Sequence, residues 1–461
     1  MARKRNQDRL GSPFDDKENK YGSDIYSDDT DNISPYGQGS SIRRYREQEK
    51  KKRSYEPYIV AGIVVLISIL IFLIIGKSLG TWHHTVIVTP PPRQTANLST
   101  PVPTTALSKQ TPVQENIVAT PVPTAGQTTP VELTDRYFGR KLGTIQKTAY
   151  EKIRDGVAVH DAQIDIKLTN IDDVVLVADS VCWDYPEYFW FTTEIKYSYS
   201  MNGDTYSITV EPVYRFDANE YISYSAEVDS VFQPVINSLY SASDYEKVKG
   251  VYEFLIEYTK YDLEYHGMSI YELARDGRAV CEAYARATQY MLTKLGVETL
   301  FVVGDSDSDG TGMEGHAWNI VKLDGEYYNV DTTWGDPVMT DGSQKLVYDY
   351  LCVTDKDLQK THLPDDNGYP ECTATKYNYY RLNNRYLDSY DESVIANWIA
   401  QANGGEVAFQ LASEDLYNET MSQLFDKGRI FDIAETAIGE GNISYVYGNN
   451  QNMRTISLKI N

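Results

Sequence analysis

An uncharged stretch of 20 residues divides this chain into two parts. Residues 57–76, which contain the run IVAGIVVLISILIFLIIG, include no Asp, Glu, Lys or Arg. About 20 apolar residues form a helix long enough to cross a bilayer, and a helix in a protein core rarely lacks a polar face over its whole length. A cleaved signal peptide fits less well, because a long hydrophilic segment precedes the stretch. The sequence therefore predicts a transmembrane helix at residues 58–76.

Basic residues beside this stretch predict its orientation in the membrane. Seven Lys and Arg residues lie between positions 43 and 53, whereas only Lys77 follows the stretch closely. Cytoplasmic flanks carry an excess of Lys and Arg. We therefore expect a single-pass protein in the cell membrane, with a cytoplasmic N-terminus and an extracytoplasmic C-terminal domain.

Composition divides the remainder of the chain. The segment before the helix is hydrophilic and too poor in apolar residues to fold alone. Residues 89–133 hold nine of the 18 prolines, which is typical of a stiff spacer. The predicted segments are a disordered tail (1–57), the transmembrane helix (58–76), a Pro/Thr-rich linker (77–133), an N-terminal α+β region (134–240), a catalytic core (241–385) and a small C-terminal α+β unit (386–461).

Local patterns predict several elements in these regions. We expect helices at 142–158 and 244–259, the second capped by Ser243 or Asp244, and strand-like runs and turns through 163–240. The C-terminal unit is predicted to contain two helices and three strands. They are a helix near 391–402, the strand EVAFQLA, a helix near 414–426, and the strands SYVYG and RTISLKI.

The formal net charge of −23 argues against nucleic-acid binding, which requires a basic surface. Four cysteines are too few for a disulfide scaffold; Cys352 and Cys372 could pair in an exported domain or remain free buried thiols. The absence of a C-x-x-C pair gives no support to zinc, and we expect no metal or cofactor. The segment DSDSDG at 305–310 matches half an EF-hand loop, but His316 replaces the required Glu, so an acidic loop is the better interpretation.

Cys281 is the first candidate catalytic residue. It follows Gly277 and opens a predicted helix that runs to about Leu295. The positive end of the helix dipole and the free N–H groups of the first turn stabilise a thiolate, which is the nucleophilic form of cysteine. A small buried core cysteine is the alternative, and the position alone does not exclude it.

A predicted hairpin brings two further candidates together. Asp324-Gly325 is a preferred two-residue hairpin loop, so HAWNIVKL and EYYNVDT should pair with Leu323 opposite Glu326. Asp331 would then lie opposite Trp318 and diagonal to His316 on one face. A cysteine, an imidazole and a carboxylate in this arrangement could act as nucleophile, base and orienting partner. The backbone N–H of Cys281 is a candidate donor to the oxyanion.

These residues carry a resemblance to a known family. G-x-x-V-C-E-x-Y-A at 277–285, H-A-W-N at 316–319 and Y-x-V-D-T-T-W at 328–334 resemble, in order and spacing, the transglutaminase-like superfamily, whose core is related to papain-like cysteine proteases. DYPEYFWF at 184–191 is more loosely similar to membrane-anchored bacterial members. Nothing outside the three blocks matches the calcium-activated animal enzymes, so protein cross-linking is not implied.

The resemblance implies an α+β fold in which a helix-start cysteine packs on an antiparallel sheet carrying His and Asp. It implies that Cys281 is the nucleophile, His316 the base and Asp331 its partner. Trp318, Trp334 and Tyr284 are candidate walls of a substrate cleft. The function expected is an amide hydrolase or acyl transferase acting on peptide or protein, including cell-wall peptide. A catalytically silent adhesion or scaffolding module of the cell envelope, or less favourably a sensor, remains the alternative.

Overall fold

The computed structural model describes residues 136–264, 267–307, 312–337 and 345–461. The predicted tail, transmembrane helix at 58–76 and linker lie outside the described residues. Among the residues that are described, no helix combines the length and the apolar character needed to span a membrane.

The N-terminal region combines helices with a three-stranded antiparallel sheet of strand order β1-β3-β2. Strand β1 alternates buried and exposed residues, so one face of the sheet packs on the core. The tyrosine-rich runs form β2 and β3, as their alternation indicated. The elements are α1 (Tyr137–Lys141), α2 (Thr144–Ala158), β1 (Ile164–Leu168), α3 (Asp173–Asp184), β2 (Phe191–Asn202), β3 (Thr205–Tyr214) and α4 (Glu220–Leu239).

Two helices of this region contradict the prediction of strands and turns through 163–240. Helix α3 is buried along most of its length, so its valines show no polar face that would mark helical periodicity. Helix α4 is rich in β-branched and aromatic residues and contains Pro234. Such residues favour strands in isolation, and packing against the core overrides that preference.

The core region places a long helix against a five-stranded sheet of order β10-β6-β7-β8-β9. Helix α5 begins at Asp244 behind Ser243, whose Oγ accepts from the N–H of Glu246 at 3.3 Å, as the pattern predicted. The elements are α5 (Asp244–Tyr258), β4 (Lys260–Tyr261), α6 (Ile270–Asp276), β5 (Arg278–Ala279), α7 (Cys281–Lys294), β6 (Thr299–Ser306), β7 (Glu314–Leu323), β8 (Glu326–Val330), β9 (Leu351–Val353), α8 (Asp355–Leu358), β10 (His362–Pro364) and α9 (Tyr379–Leu382).

The hairpin of β7 and β8 has the predicted register. Leu323 lies opposite Glu326, and the pairing continues without a shift to Asn319 opposite Val330. Asp324 and Gly325 both have positive φ angles, as a tight two-residue loop requires. Asp331 follows directly after the last paired residue of β8.

The C-terminal unit has its own hydrophobic core around a four-stranded sheet of order β11-β12-β14-β13. The predicted helices and strands are present, and a further helix, α12, was missed. The elements are β11 (Tyr386–Leu387), α10 (Glu392–Ala402), β12 (Glu406–Leu411), α11 (Glu414–Met421), a π-helical turn (Ser422–Asp426), α12 (Arg429–Ile438), β13 (Tyr445–Asn450) and β14 (Thr455–Ile460).

A buried carboxylate links this unit to the core region. Asp349 accepts hydrogen bonds from the hydroxyl of Tyr380 at 2.5 Å, from Asn450 at 3.0 Å and from Thr455 at 2.6 Å. Asn450 and Thr455 belong to the C-terminal sheet. The two regions therefore share buried polar contacts and do not behave as independently tethered modules.

Gly304 of β6 permits the close approach of β10. A Cβ atom at this position would lie 2.8 Å from Cα of Pro364 and 2.8 Å from Cη2 of Trp318. We expect Gly304→Ala to lower the free energy of unfolding by about 2 to 3 kcal/mol through overpacking, measured by urea denaturation. Gly441→Ala, where an added Cβ meets nothing within 4 Å, is the control. Equal losses in the two variants would contradict the expectation.

Candidate active site

Cys281 lies at the first position of α7, where the sequence predicted it. Val280, the residue before the helix, is extended, and its carbonyl accepts from the N–H groups of Ala283 and Tyr284. The first N–H groups of any helix have no acceptor within that helix, so those of Cys281 and Glu282 point outward from the helix end. The thiol is half-buried. The thiol is therefore accessible to solvent, and it lies at the positive end of the helix dipole.

His316 joins Cys281 to Asp331. Nε2 of His316 lies 2.7 Å from Oδ2 of Asp331 and donates to it, since a carboxylate only accepts. The side chain of Cys281 also lies close enough to His316 to raise the pKa of the imidazole. Because Nε2 is bonded to Asp331, Nδ1 is the nitrogen left to face the thiol.

The carboxylate of Asp331 is held on both oxygens. Oδ1 accepts from the backbone N–H of Trp334 at 3.0 Å, while Oδ2 accepts from His316. The backbone N–H of Asp331 donates to the carbonyl of Tyr350 at 3.0 Å. The residue is fully buried, so the turn that follows β8 fixes the carboxylate beneath the imidazole.

Charge interactions at this pair outweigh the cost of burial. Burial disfavours the charged form of His316, but the carboxylate of Asp331 and the thiol of Cys281 raise its pKa to about 10. Burial would likewise raise the pKa of Asp331, yet His316 and His362 hold it well below its usual range. An imidazolium–carboxylate pair at neutral pH is the result.

His362 is a third member of this cluster that the sequence did not indicate. Its Nε2 donates to Oδ2 of Asp331 at 3.0 Å, and its Nδ1 lies 2.9 Å from Oγ1 of Thr361. Strand β10 has only three residues, so no periodicity marks it. Burial lowers the pKa of His362, and this effect exceeds the opposing attraction of Asp331.

The contact between His362 and Asp331 joins strands that are not neighbours. Strands β6 and β7 lie between β10 and β8 in the sheet order. Asp331 follows directly after β8, and its Oδ2 lies 3.0 Å from Nε2 of His362. The turn after β8 therefore brings the carboxylate to a side chain of β10.

The same cluster contains a set of possible metal ligands. Among the described residues, one His/Cys/Asp/Glu group could hold a metal ion: His316, Asp331 and His362, with ligand atoms within 4.8 Å of one another. Two imidazoles and one carboxylate suit zinc or iron. These atoms are instead satisfied by hydrogen bonds to each other, which favours a proton-handling cluster.

Part of the chain is similar to known proteins. Residues 237–332 match the model of the transglutaminase-like superfamily. This part of the chain is therefore similar to a transglutaminase-like domain. Kyphoscoliosis peptidase of Mus musculus is 27% identical over 28% of this chain, and that of Homo sapiens is 26% identical over the same share. The match spans 22% of each relative's length.

A solved TGase structure is also similar to part of the chain. It is 19% identical, with 31% of this chain and 44% of that chain covered and a TM-score of 0.21. The α+β core expected for the transglutaminase-like domain agrees with the helix and sheet described above.

The aromatic candidates differ in their surroundings. Tyr284 is fully buried and its hydroxyl donates to Asp336 at 2.7 Å, so it belongs to the core and the prediction of a cleft wall is wrong. Trp318 is also buried, donates to Asn329 and stacks on His316 with centroids 5.9 Å apart. Trp334 is half-buried, with its ring centroid 4.4 Å from that of His362. The two tryptophans therefore pack around the histidines.

A pocket lies beside the first turns of α7. Glu282 and Arg286 line it together with residues between 182 and 193 that include Tyr188 and Phe189. Tyr188 and Phe189 belong to the segment DYPEYFWF. The pocket thus places an aromatic surface next to the helix that carries Cys281.

The structure also describes the two cysteines that could have paired and part of the acidic segment. Cys352 and Cys372 are both buried free thiols, the second of the two alternatives considered. The acidic segment at 305–310 begins in β6, and β7 follows, so strands flank it rather than the helices of an EF-hand. Residues 308–311 lie outside the described residues.

The raised pKa of His316 predicts how stability depends on pH. The folded state retains the proton to about pH 10, whereas an unfolded histidine loses it near pH 6.5. Stability from this group is therefore full below about pH 6.5 and is lost as pH rises toward 10. We expect the urea midpoint to fall over this range more steeply in wild type than in His316→Gln. His160→Gln should retain the wild-type slope, and a parallel slope in His316→Gln would contradict the prediction.

Proposed function

We propose that the protein is a cysteine-dependent amide hydrolase or acyl transferase with Cys281 as nucleophile, His316 as acid and base, and Asp331 as its orienting partner. The observation that carries the proposal is the position of His316, which contacts Cys281 on one side and bonds to Asp331 at 2.7 Å on the other. A base placed between a nucleophile and an orienting carboxylate is the arrangement that nucleophilic catalysis by cysteine requires.

The reaction would proceed in two stages. Sγ of Cys281 attacks the carbonyl carbon of an amide, and a sulfur–carbon bond forms as the carbon–nitrogen bond breaks. The imidazolium of His316 gives its proton to the leaving amine. Water or a second amine then attacks the thioester, His316 takes a proton from this nucleophile, and the thiolate leaves. Water yields hydrolysis and an amine yields acyl transfer.

Charge would develop on the carbonyl oxygen during both stages. The backbone N–H groups of Cys281 and Glu282 lie in the first turn of α7, where no acceptor within the helix uses them. Donors that are fixed before the reaction stabilise such an oxyanion without reorganising. We assign the N–H of Cys281 to this task.

The substrate class follows from the predicted anchor and from charge. A transmembrane helix at 58–76 would hold the domain outside the cell within reach of surface peptides and the cell wall. The chain has 66 acidic and 43 basic residues, and an anionic domain attracts neutral or basic substrates in preference to acidic ones. We therefore propose peptide bonds or glutamine side chains of envelope peptides as substrates. Equal turnover of acidic and basic peptides at low salt would contradict the charge preference.

Alkylation of the four cysteines tests the proposal. Cys281 is half-buried at a helix start, whereas Cys182, Cys352 and Cys372 are buried, and burial raises the pKa of Cys352 and Cys372 well above the usual range of a thiol. Iodoacetamide at neutral pH, followed by peptide mapping, should label Cys281 selectively and faster than in the urea-unfolded chain. Labelling of Cys281 no faster than in the unfolded chain would contradict a nucleophilic role.

A further inference from the structure

We propose that His362 is a positioning residue that holds the carboxylate of Asp331 toward His316. This inference rests on the proposed function, and it concerns a residue that does not touch Cys281 or the reacting atoms. Its role would be to fix the third member of the triad through a second hydrogen bond to Oδ2 of Asp331.

The hydrogen bonds around Asp331 carry the inference. A carboxylate only accepts, so Nε2 of His316 and Nε2 of His362 both donate to the same oxygen, at 2.7 Å and 3.0 Å. The N–H of Trp334 holds the other oxygen at 3.0 Å. Without His362, one donor on each oxygen would remain, and the carboxylate would have freedom to tilt away from His316.

The charge state of His362 suits this task. Burial favours its neutral form, in which Nε2 carries the proton that it donates to Asp331. A neutral donor orients Asp331 and leaves its negative charge available to His316. The two imidazoles on one carboxylate thus differ in charge: His316 is protonated and His362 is neutral.

Packing alone does not account for an imidazole at this position. The ring of His362 lies among the rings of Trp318, Trp334 and Tyr350, with centroids 5.2, 4.4 and 6.3 Å away. An apolar side chain would fill such surroundings without the cost of burying two polar nitrogens. Both nitrogens are used in hydrogen bonds, and one of these reaches the triad.

Two substitutions in the full-length chain test the role. His362→Leu removes the donor and retains similar volume, whereas His362→Gln retains an N–H donor. We expect His362→Leu to lower kcat for peptide cleavage by about 10- to 100-fold with KM unchanged, and His362→Gln to recover most of the loss. His160→Leu is the matched control, because it removes a histidine bonded to the carbonyl of Phe216 far from the triad. It should retain wild-type kcat.

Nuclear magnetic resonance separates positioning from activity. The chain has six histidines, so the imidazole N–H of His316 can be assigned by single substitutions. In His362→Leu this proton should shift upfield and exchange faster with water, and in His362→Gln it should return toward its wild-type position. This readout does not depend on turnover, so it tests His362 even where the proposed reaction fails.

Three outcomes would overturn the inference. The first is an unchanged His316 resonance in His362→Leu. The second is a wild-type kcat in that variant while Cys281→Ala is inactive, which would leave the proposed function intact. The third is a stoichiometric metal ion in the wild-type protein that His362→Leu loses, because His362 would then be a ligand.

Discussion

Replacing Cys281 by serine is expected to abolish amide cleavage, with a loss of at least about 10³-fold in kcat/KM. The hydroxyl is far less ionised than a thiol, so His316 would no longer face a ready nucleophile. The measurement is cleavage of a peptide library and of cell-wall fragments by wild type and variant. Folding is checked by urea denaturation, which should be nearly unchanged because the side chain is half-buried.

Cys372→Ser makes the same chemical change away from the nucleophile position and is the matched control. Cys372 is buried, and its thiol contacts the carbonyl of Pro370, to which a serine hydroxyl can also donate. Its activity should stay close to wild type. Cleavage by Cys281→Ser at the wild-type rate would refute the proposed function and would favour a scaffolding role for the fold.

Replacing Asp331 by asparagine is expected to lower both activity and stability. An amide cannot accept from all three donors as a carboxylate does, because its NH₂ group would face either the two Nε2 atoms of His316 and His362 or the backbone N–H of Trp334. Leaving a buried imidazolium without its partner costs about 3 to 5 kcal/mol of unfolding free energy. A misoriented imidazole should lower kcat by about 10⁴-fold. Urea denaturation and peptide cleavage measure the two effects.

Asp349→Asn separates the catalytic from the structural part of that result. Asp349 is also buried and also accepts three hydrogen bonds, from Tyr380, Asn450 and Thr455. Its hydrogen bonds join the core region to the C-terminal sheet, and its substitution should cost stability while kcat of the folded fraction is retained. A similar loss of kcat in both variants would show that Asp331 acts through the fold alone.

Short-range sequence patterns were sufficient to predict much of the core region. The Asp324-Gly325 loop determines the pairing of β7 with β8, and this register brings His316 and Asp331 to one end of the hairpin. The predicted helix after Gly277 placed Cys281 at a helix start. Each of these inferences uses residues within about 15 positions of one another, where local sterics and sequence periodicity dominate.

Long-range packing decided what the patterns missed. Helices α3 and α4 were predicted as strands and turns, because burial removes the polar face that marks a helix and because β-branched and aromatic residues dominate them. Tyr284 was predicted as a cleft wall from its place on the helix, but its hydroxyl finds Asp336 52 positions later in the chain. Spacing along one helix does not indicate which neighbours cover it.

The sequence by itself determined the order Cys281, His316 and Asp331 and the hairpin that joins the last two. Only the tertiary structure brought His362 onto the carboxylate of Asp331, 31 residues away in the chain. The physical reason is that β10 joins the sheet by pairing with β6, where His362 lies opposite Ser306, far earlier in the chain. Strand β10 has only three residues, so no pattern of neighbouring residues encodes this pairing.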